Sequence, residues 1–503
     1  MKKLALSAFL LTAVITIGCS KHSPVADVLD SAGSNRTELE AVLNHYRTVD
    51  NNPQKLRAAE FLIENMPYHF SVVETLVSPE GKEYYPDITR FSGKESVRRH
   101  CDSLFAVGYR VRKQHVFDIH TLTADYLIDH IDLAFEAWGK PWAREVSFDD
   151  FCRYVLPYRA ENEAVCNIRK QLMDTYNPLL DSAGVQSVDD ACRVINERLK
   201  SELRFSETGH PLKSTIEETL RAKTGACDAL CNYMIYVMRA VGLPIVRHQT
   251  VWTRMDNSHF WTAVKLKDGF FDFDPGENLS DSLQYDLMRK EILRPAKVYR
   301  SVYEADLSLS ATEDDGYVTF LKSPLLRDVT GGRLIPAHTL HVPIPGSDYK
   351  EGRQFYLCTY NHFRWTPIAV GRADGKGHAV FEDVAGRNFL MVAEAESRNG
   401  LRMVGVPFYT DGKGGSFLLD TDTGTRTSYT FTRKEDEPLR ILYYWDKEAN
   451  GFVQLDYDSC TDTTQTYTNI PKNALLHYRK QTLKGSQPVG MIHEGEYVSA
   501  RKW

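Results

Sequence analysis

The sequence has little that would place it across a membrane, on a nucleic acid or in a disulfide scaffold. Past Cys19 no segment is long and apolar enough to span a bilayer. Acidic residues outnumber basic ones, 67 to 61, for a net charge of −6, which excludes nucleic-acid binding driven by bulk positive charge. Nine cysteines in 503 residues fall far below the density of a disulfide-built domain. Internal repeats and long low-complexity tracts are absent too. What remains is an ordinary globular composition, 42% apolar and 25% charged, with 7 Trp, 26 Tyr and 23 Phe to fill several cores. At about 150 residues per domain, the length predicts three domains.

The first residues read as an export signal. Lys2 and Lys3 precede an apolar run, Leu4 to Ile17, that is short for a bilayer span. The run ends in Thr16-Ile17-Gly18-Cys19, which resembles the lipobox of bacterial lipoproteins, with Thr16 where that family usually carries Leu. The resemblance implies lipidation of Cys19 after cleavage and an exported protein held in the bacterial cell envelope, on the outer membrane. Residues 20–35 read as a tether. Of the eight cysteines beyond Cys19, most are expected to be buried small hydrophobes.

Helical periodicity dominates residues 36–200, for example Leu39, Val42, Leu43 and Tyr46, then Ala191, Val194, Ile195, Leu199 and Leu203. Residues 201–310 change to helix followed by strands. From 315 to 503 short Tyr/Phe/Val/Leu runs alternate with turn signals such as Asp374-Gly375-Lys376-Gly377, predicting one or two β-sandwich domains. The expected class is α+β multidomain.

The chemistry concentrates between Lys223 and Pro275. Apolar residues 230, 231, 234, 235, 238 and 241 form a helical stripe that stops at Gly242 and Pro244. A start at Thr224 or Gly225 puts Cys227 in the first turn, at the positive end of the helix dipole, which favours the nucleophilic thiolate. Downstream, His259 to Leu266 and Phe270 to Asp274 alternate around Lys267-Asp268-Gly269 as a hairpin. With a turn over residues 266–269, Lys265 opposes Phe270 and Trp261 opposes Asp274. His259 then lies on the same face as Asp274 and diagonal to it, at about 7–8 Å between backbones. Asp272 shares that face and is the reserve carboxylate.

These residues resemble the transglutaminase-like superfamily, papain-related thiol enzymes with a triad in the order Cys, His, Asp. Gly225-Ala226-Cys227, Arg239-Ala240-Val241-Gly242-Leu243-Pro244, His259-Phe260-Trp261 and Asp274-Pro275 match its four elements in order. The resemblance implies a papain-like α+β core, with Cys227 attacking an amide or ester carbonyl, His259 as acid and base, and Asp274 orienting the imidazole. Helices before this core and β-domains after it are similar to those of certain envelope lipoproteins. In that family the oxyanion side chain is often an upstream Trp or Gln. Gln249 and Trp252 follow the cysteine, and that role stays unassigned.

Other residues carry plainer readings. Trp252, Trp261, Arg159 and Glu163 are cleft candidates, with an Arg159–Glu163 ion pair as the structural alternative. His248 is expected on a strand facing solvent, and Trp138 and Trp142 in packing. A zinc site from Cys227, Cys231 and His259 lacks a fourth ligand. His362, Trp365 and the tyrosines of the β-rich part suit glycan or peptide binding or, for most of them, core pairing. The function expected is an envelope thiol enzyme acting on amide bonds of peptide, protein or glycopeptide substrates, most simply as a hydrolase. Acyl transfer to an amine and glycan-asparagine amide cleavage share its first step. The alternative class is a non-catalytic lipid-anchored peptide- or glycan-binding protein. No metal, organic cofactor or nucleic-acid partner is implied.

Overall fold

The structure, a computed structural model, describes residues 24–253, 256–275, 295–307, 315–331, 335–434, 439–480 and 489–499. The signal segment and Cys19 lie outside them.

The stretch read as a tether already belongs to the fold. Helix α1 (Pro24–Ser31) buries Val25 and Leu29, and the following Ala32 is buried too. Apolar residues four and three apart give this short segment a face to bury, which a composition reading misses. Helices α2 (Arg36–Asn44) and α3 (Pro53–Asn65) pack against it, and α5 (Ala124–Trp138) packs against both of them. The region is not wholly helical. Strands β1 (Phe70–Val77), β2 (Glu83–Tyr84) and β3 (Arg110–Phe117) form a three-stranded antiparallel sheet flanked by α4 (Lys94–Ala106). Strand β3 exposes nearly every side chain, so no apolar alternation announces it.

Helices α7 (Arg169–Ser182), α8 (Val188–Glu202) and α9 (Ile216–Ala222) lead to α10 (Cys227–Ala240). Eleven residues of α10 are buried, the apolar stripe together with Asn232, Tyr233 and Arg239, the pattern of a helix enclosed on most sides. It packs against α5, α7, α8 and α9 and against strands β6 (Ile245–Val251) and β7 (Ser258–Leu266). One hydrophobic cluster therefore runs from α1 through α10 into the sheet, so the helices and the core sheet share a single core.

Helix α10 ends as its sequence requires. The Gly242 N–H donates to the Arg239 carbonyl at 3.2 Å and the Leu243 N–H to that of Met238 at 2.9 Å. This double closure needs a left-handed residue, and Gly242 has φ +87°. A Cβ there would also lie 2.4 Å from the Ala137 carbonyl oxygen.

The core sheet is antiparallel, in the order β10 (Leu326–Asp328), β9 (Tyr299–Ser301), β6, β7, β8 (Gly269–Phe273). Beyond it stand a seven-stranded sheet, whose strands enclose Phe355, Leu357, Phe381 and Leu390, and three- and five-stranded sheets that share a core through Phe431, Leu442, Tyr467 and Tyr478. Phe389 and Met391 of the first meet Trp445 and Met491 of the last, joining these β-units. Among the described residues no helix is long and apolar enough to cross a membrane.

Candidate active site

Cys227 is the first residue of α10. The N-cap, Ala226, makes no side-chain cap, so the helix presents uncapped N–H groups beside the sulfur. The turn before it is tight. A Cβ on Gly225 would lie 2.8 Å from that of Ala229, so only glycine lets the short strand β5 (Thr224–Gly225) enter the helix here.

Strands β7 and β8 pair with Leu266 opposite Gly269, Lys265 opposite Phe270 and Thr262 opposite Phe273. That register carries Asp274, one residue past β8, to the level of Trp261, beside His259. The His259 Nε2–H donates to Asp274 Oδ1 at 2.9 Å. The Cys227 sulfur comes near enough to the same imidazole to act on its charge. Cysteine, histidine and aspartate, separated in sequence, thus meet in one chain of contacts.

The imidazole is held on both faces. The Trp252 ring lies 5.6 Å from it at 18°, and the Trp261 ring 5.7 Å from it at 22°. Trp261 is wholly buried and donates its indole N–H to Asp272 Oδ1 at 2.7 Å. Burial opposes charge on His259, but the Asp274 carboxylate and the Cys227 sulfur outweigh it and raise the histidine to about 9.

A second histidine–aspartate pair lies alongside. His248, expected to face solvent, is fully buried. Its Nδ1–H donates to Asp272 Oδ1, and Arg300 donates its Nε–H to His248 Nε2 at 3.0 Å. Accepting at Nε2 requires a neutral ring, and burial lowers the histidine accordingly. Strand β6 is central in its sheet and all of it except Gln249 and Val251 is buried, so His248 has no solvent side. Asp272 is therefore engaged in structure, and its reserve role passes out of consideration. His259, one-fifth exposed, belongs to the pair with a route to substrate.

Arg159 and Glu163 do not form the expected ion pair. Arg159 pairs instead with Asp118, both almost fully buried, and Tyr158 donates to the same carboxylate at 2.8 Å. The remaining Arg159 N–H groups reach the carbonyls of Phe70, Glu161 and Glu163. The Glu163 carboxylate accepts from the Ala160 N–H and from Tyr236. Both residues brace a loop. Arg159 also borders a cavity of about 480 Å³ with Arg247, Gln249 and Tyr303. Neither Cys227 nor His259 lines it, although Gln249 pairs with Phe260, the neighbour of His259.

No local pattern announces the contribution from the β-domain. Asn361, nearly fully buried, donates to the backbone carbonyl of Trp252 at 2.8 Å and to that of Asn257 at 2.9 Å. Thr253 donates to Asn388. The segment that carries Trp252 is thus tied to the seven-stranded sheet. A contact spanning 109 positions leaves no local signal.

Cysteine burial matches the expectation for most. Cys101, Cys152, Cys192, Cys231 and Cys358 are buried, Cys166 and Cys227 half-buried, and Cys460 exposed, all as free thiols.

No curated protein matches the chain. Among solved structures it is similar to a candidate cysteine protease from Cytophaga hutchinsonii, at 13% identity and a TM-score of 0.19, over 22% of this chain and 37% of that one. It is also similar to the transglutaminase of red sea bream, at 10% identity and a TM-score of 0.19, over 86% of this chain and 78% of that one. The family model that matches is the transglutaminase-like superfamily, over residues 180–275. That span holds α8, the Cys227 helix, the His259 strand and Asp274, and this part of the chain is a transglutaminase-like domain.

Proposed function

We propose that the protein is a thiol enzyme acting on amide bonds through Cys227, His259 and Asp274. The observation that carries this reading is the position of the His259 imidazole, hydrogen-bonded to Asp274 and within electrostatic reach of the Cys227 sulfur at the start of α10. With Nε2 committed to Asp274, Nδ1 is the nitrogen left to exchange a proton with sulfur. Asp274 and the sulfur outweigh burial and hold the imidazole toward its charged form, the proton donor and acceptor that a reacting sulfur needs.

The sulfur attacks the substrate carbonyl carbon, and the resulting oxyanion is met by the Cys227 backbone N–H at the uncapped helix start. His259 gives its proton to the departing amine, leaving a thioester on Cys227. Water activated by the now neutral imidazole then releases the acid and restores the thiol. Asp274 fixes the tautomer and orientation of His259 throughout. The substrates are peptides, proteins or glycopeptides. An amine arriving in place of water would give acyl transfer from the same thioester, and a glycan-asparagine amide would give deglycosylation. We also propose an envelope location with a lipid on Cys19, tested by metabolic labelling with a radioactive fatty acid in wild type and Cys19→Ala.

The direct test is capture of a labelled acyl-enzyme from an envelope-derived peptide mixture, located by peptide mass spectrometry. Label on Cys227, absent in Cys227→Ala, is expected. Wild-type amide turnover in Cys227→Ala would refute the assignment of the nucleophile, and a wild type that neither takes label nor turns over amides would leave a binding protein built on a thiol-enzyme core.

A further inference from the structure

Helix α8 ends at Glu202, and the chain leaves it at once in extended form, through Leu203, as the short strand β4 (Arg204–Phe205). Leu203 is buried in the core that α8 shares with α10. Alternation along a strand puts Phe205 on the same side as Leu203. The core has run out by then, and Phe205 is 72% exposed.

Strand β4 runs parallel to β5, with Arg204 opposite Thr224 and Phe205 opposite Gly225, two residues before Cys227. Among the described residues the two strands form a sheet with no third member. The Arg204 N–H donates to the Lys223 carbonyl at 2.9 Å and the Ser206 N–H to that of Gly225 at 3.0 Å. The Thr224 hydroxyl donates to the Arg204 carbonyl at 3.0 Å. The residues on either side of Phe205 thus face β5, so its own N–H and C=O point the other way, out of an open edge.

A single exposed aromatic means little by itself, and so does a short open edge. Here both belong to the strand beside the one that delivers the nucleophile. At about 4.8 Å between strands and about 3.3 Å per residue, the Phe205 backbone stands roughly 8 Å from that of Cys227. An extended chain paired with Phe205 brings a peptide group about three residues away to the sulfur.

We propose that β4 receives the substrate as an added strand, with the Phe205 N–H and C=O bonding its main chain and the Phe205 ring packing on an apolar side chain near the attacked amide. In strand addition the main chain supplies affinity and the side chain selectivity. The substrate class is then an extended polypeptide with an apolar residue close to the scissile bond, in preference to a compact glycan-asparagine. This narrows the thiol-enzyme reading on which it rests.

The test alkylates Cys227 of the full chain with electrophilic peptides and follows the adduct by peptide mass spectrometry. One set is iodoacetyl-tetraglycine amide with a single phenylalanine moved through its positions. The other is acetyl-tetraglycine chloromethyl ketone scanned likewise, so both directions from the sulfur are sampled. Phenylalanine at one position is expected to raise the labelling rate about tenfold or more over the all-glycine probe of its set. N-methylation of the probe at or next to that position should abolish the gain, a readout that needs no variant. In Phe205→Ser the phenylalanine-to-glycine rate ratio should fall below about twofold. A ratio near one at every position, no loss on N-methylation, or a ratio preserved in the folded variant would overturn the strand addition and leave Cys227 a reactive thiol. A dimer in sedimentation that Phe205→Ser dissolves would give the edge to a second copy and overturn it too. A Cys227 that no probe labels would bring down the thiol-enzyme reading and the strand addition together.

Discussion

The indole of Trp252 lies nearly parallel to the imidazole of His259, and the Trp252 carbonyl is held by Asn361 from the β-domain. The ring that confines one face of the histidine is therefore positioned by a residue outside the transglutaminase-like segment. Asn361→Ala would take this donor from the buried Trp252 carbonyl, at about 1–3 kcal/mol, while the Asn257 carbonyl still accepts from the Trp252 N–H at 3.0 Å. We expect slower iodoacetamide labelling of Cys227 in Asn361→Ala with the far-ultraviolet circular dichroism unchanged. Labelling at the wild-type rate would show that Trp252 keeps its place without the β-domain.

The charge on His259 gives a pH signature. A histidine raised to about 9 stabilises the fold fully below its unfolded value near 6.5, and that contribution is lost as pH rises from 6.5 through 9. It amounts to on the order of 3 kcal/mol at its largest. Asp274→Asn should flatten this part of the stability-against-pH curve, measured by urea unfolding, and should move the His259 ring resonances to titrate at lower pH. A histidine titration indifferent to Asp274 would contradict the pairing.

Native-state thiol labelling should divide the cysteines by exposure. Cys227 and Cys460 are expected to react first with a mild alkylating agent. Cys101, Cys152, Cys192, Cys231 and Cys358 are shut in by packing and should react only after unfolding. Peptide mapping after a short pulse checks the order.

Arg159 and Asp118 form a buried ion pair in which each is 1–2% exposed. Removing one partner strands the other's charge. Asp118→Asn or Arg159→Met should each cost about 3–5 kcal/mol, and the double substitution less than their sum. Denaturant midpoints of the three variants test this.

Gly242→Ala meets two obstacles at once, a φ of +87° and the Ala137 carbonyl 2.4 Å from the new methyl. We expect destabilisation of more than about 1 kcal/mol by thermal melting, with Leu243→Met at the next position nearly neutral.

What the sequence disclosed, and what it hid, follows from the range of the interactions. The Cys227 helix, its Gly242-Leu243-Pro244 stop and the β7–β8 register are set by neighbours in the chain, so spacing alone placed them. The same alternation puts Asp272 and Asp274 on one face, and the hairpin register with the Asp274-Pro275 match singles out Asp274. What Asp272 does instead depends on His248 and Arg300, which arrive from two other strands. His248 is buried where alternation predicts a wet face, because β6 is central and only its Gln249 and Val251 are half-exposed. Strand β3 was missed because it is exposed nearly throughout, and α1 because eight residues between Pro24 and Ser31 hold too few turns to show a period.

The Arg300–His248–Asp272–Trp261 brace has a consequence for strand assembly. Two aspartates two residues apart make a slide of β8 along β7 by one pleat unit chemically tempting, since Asp272 would then stand where Asp274 serves His259. In the slid pairing Asp272 forfeits both His248 and Trp261. The buried partners thereby act as a pawl, and the hairpin has one resting notch.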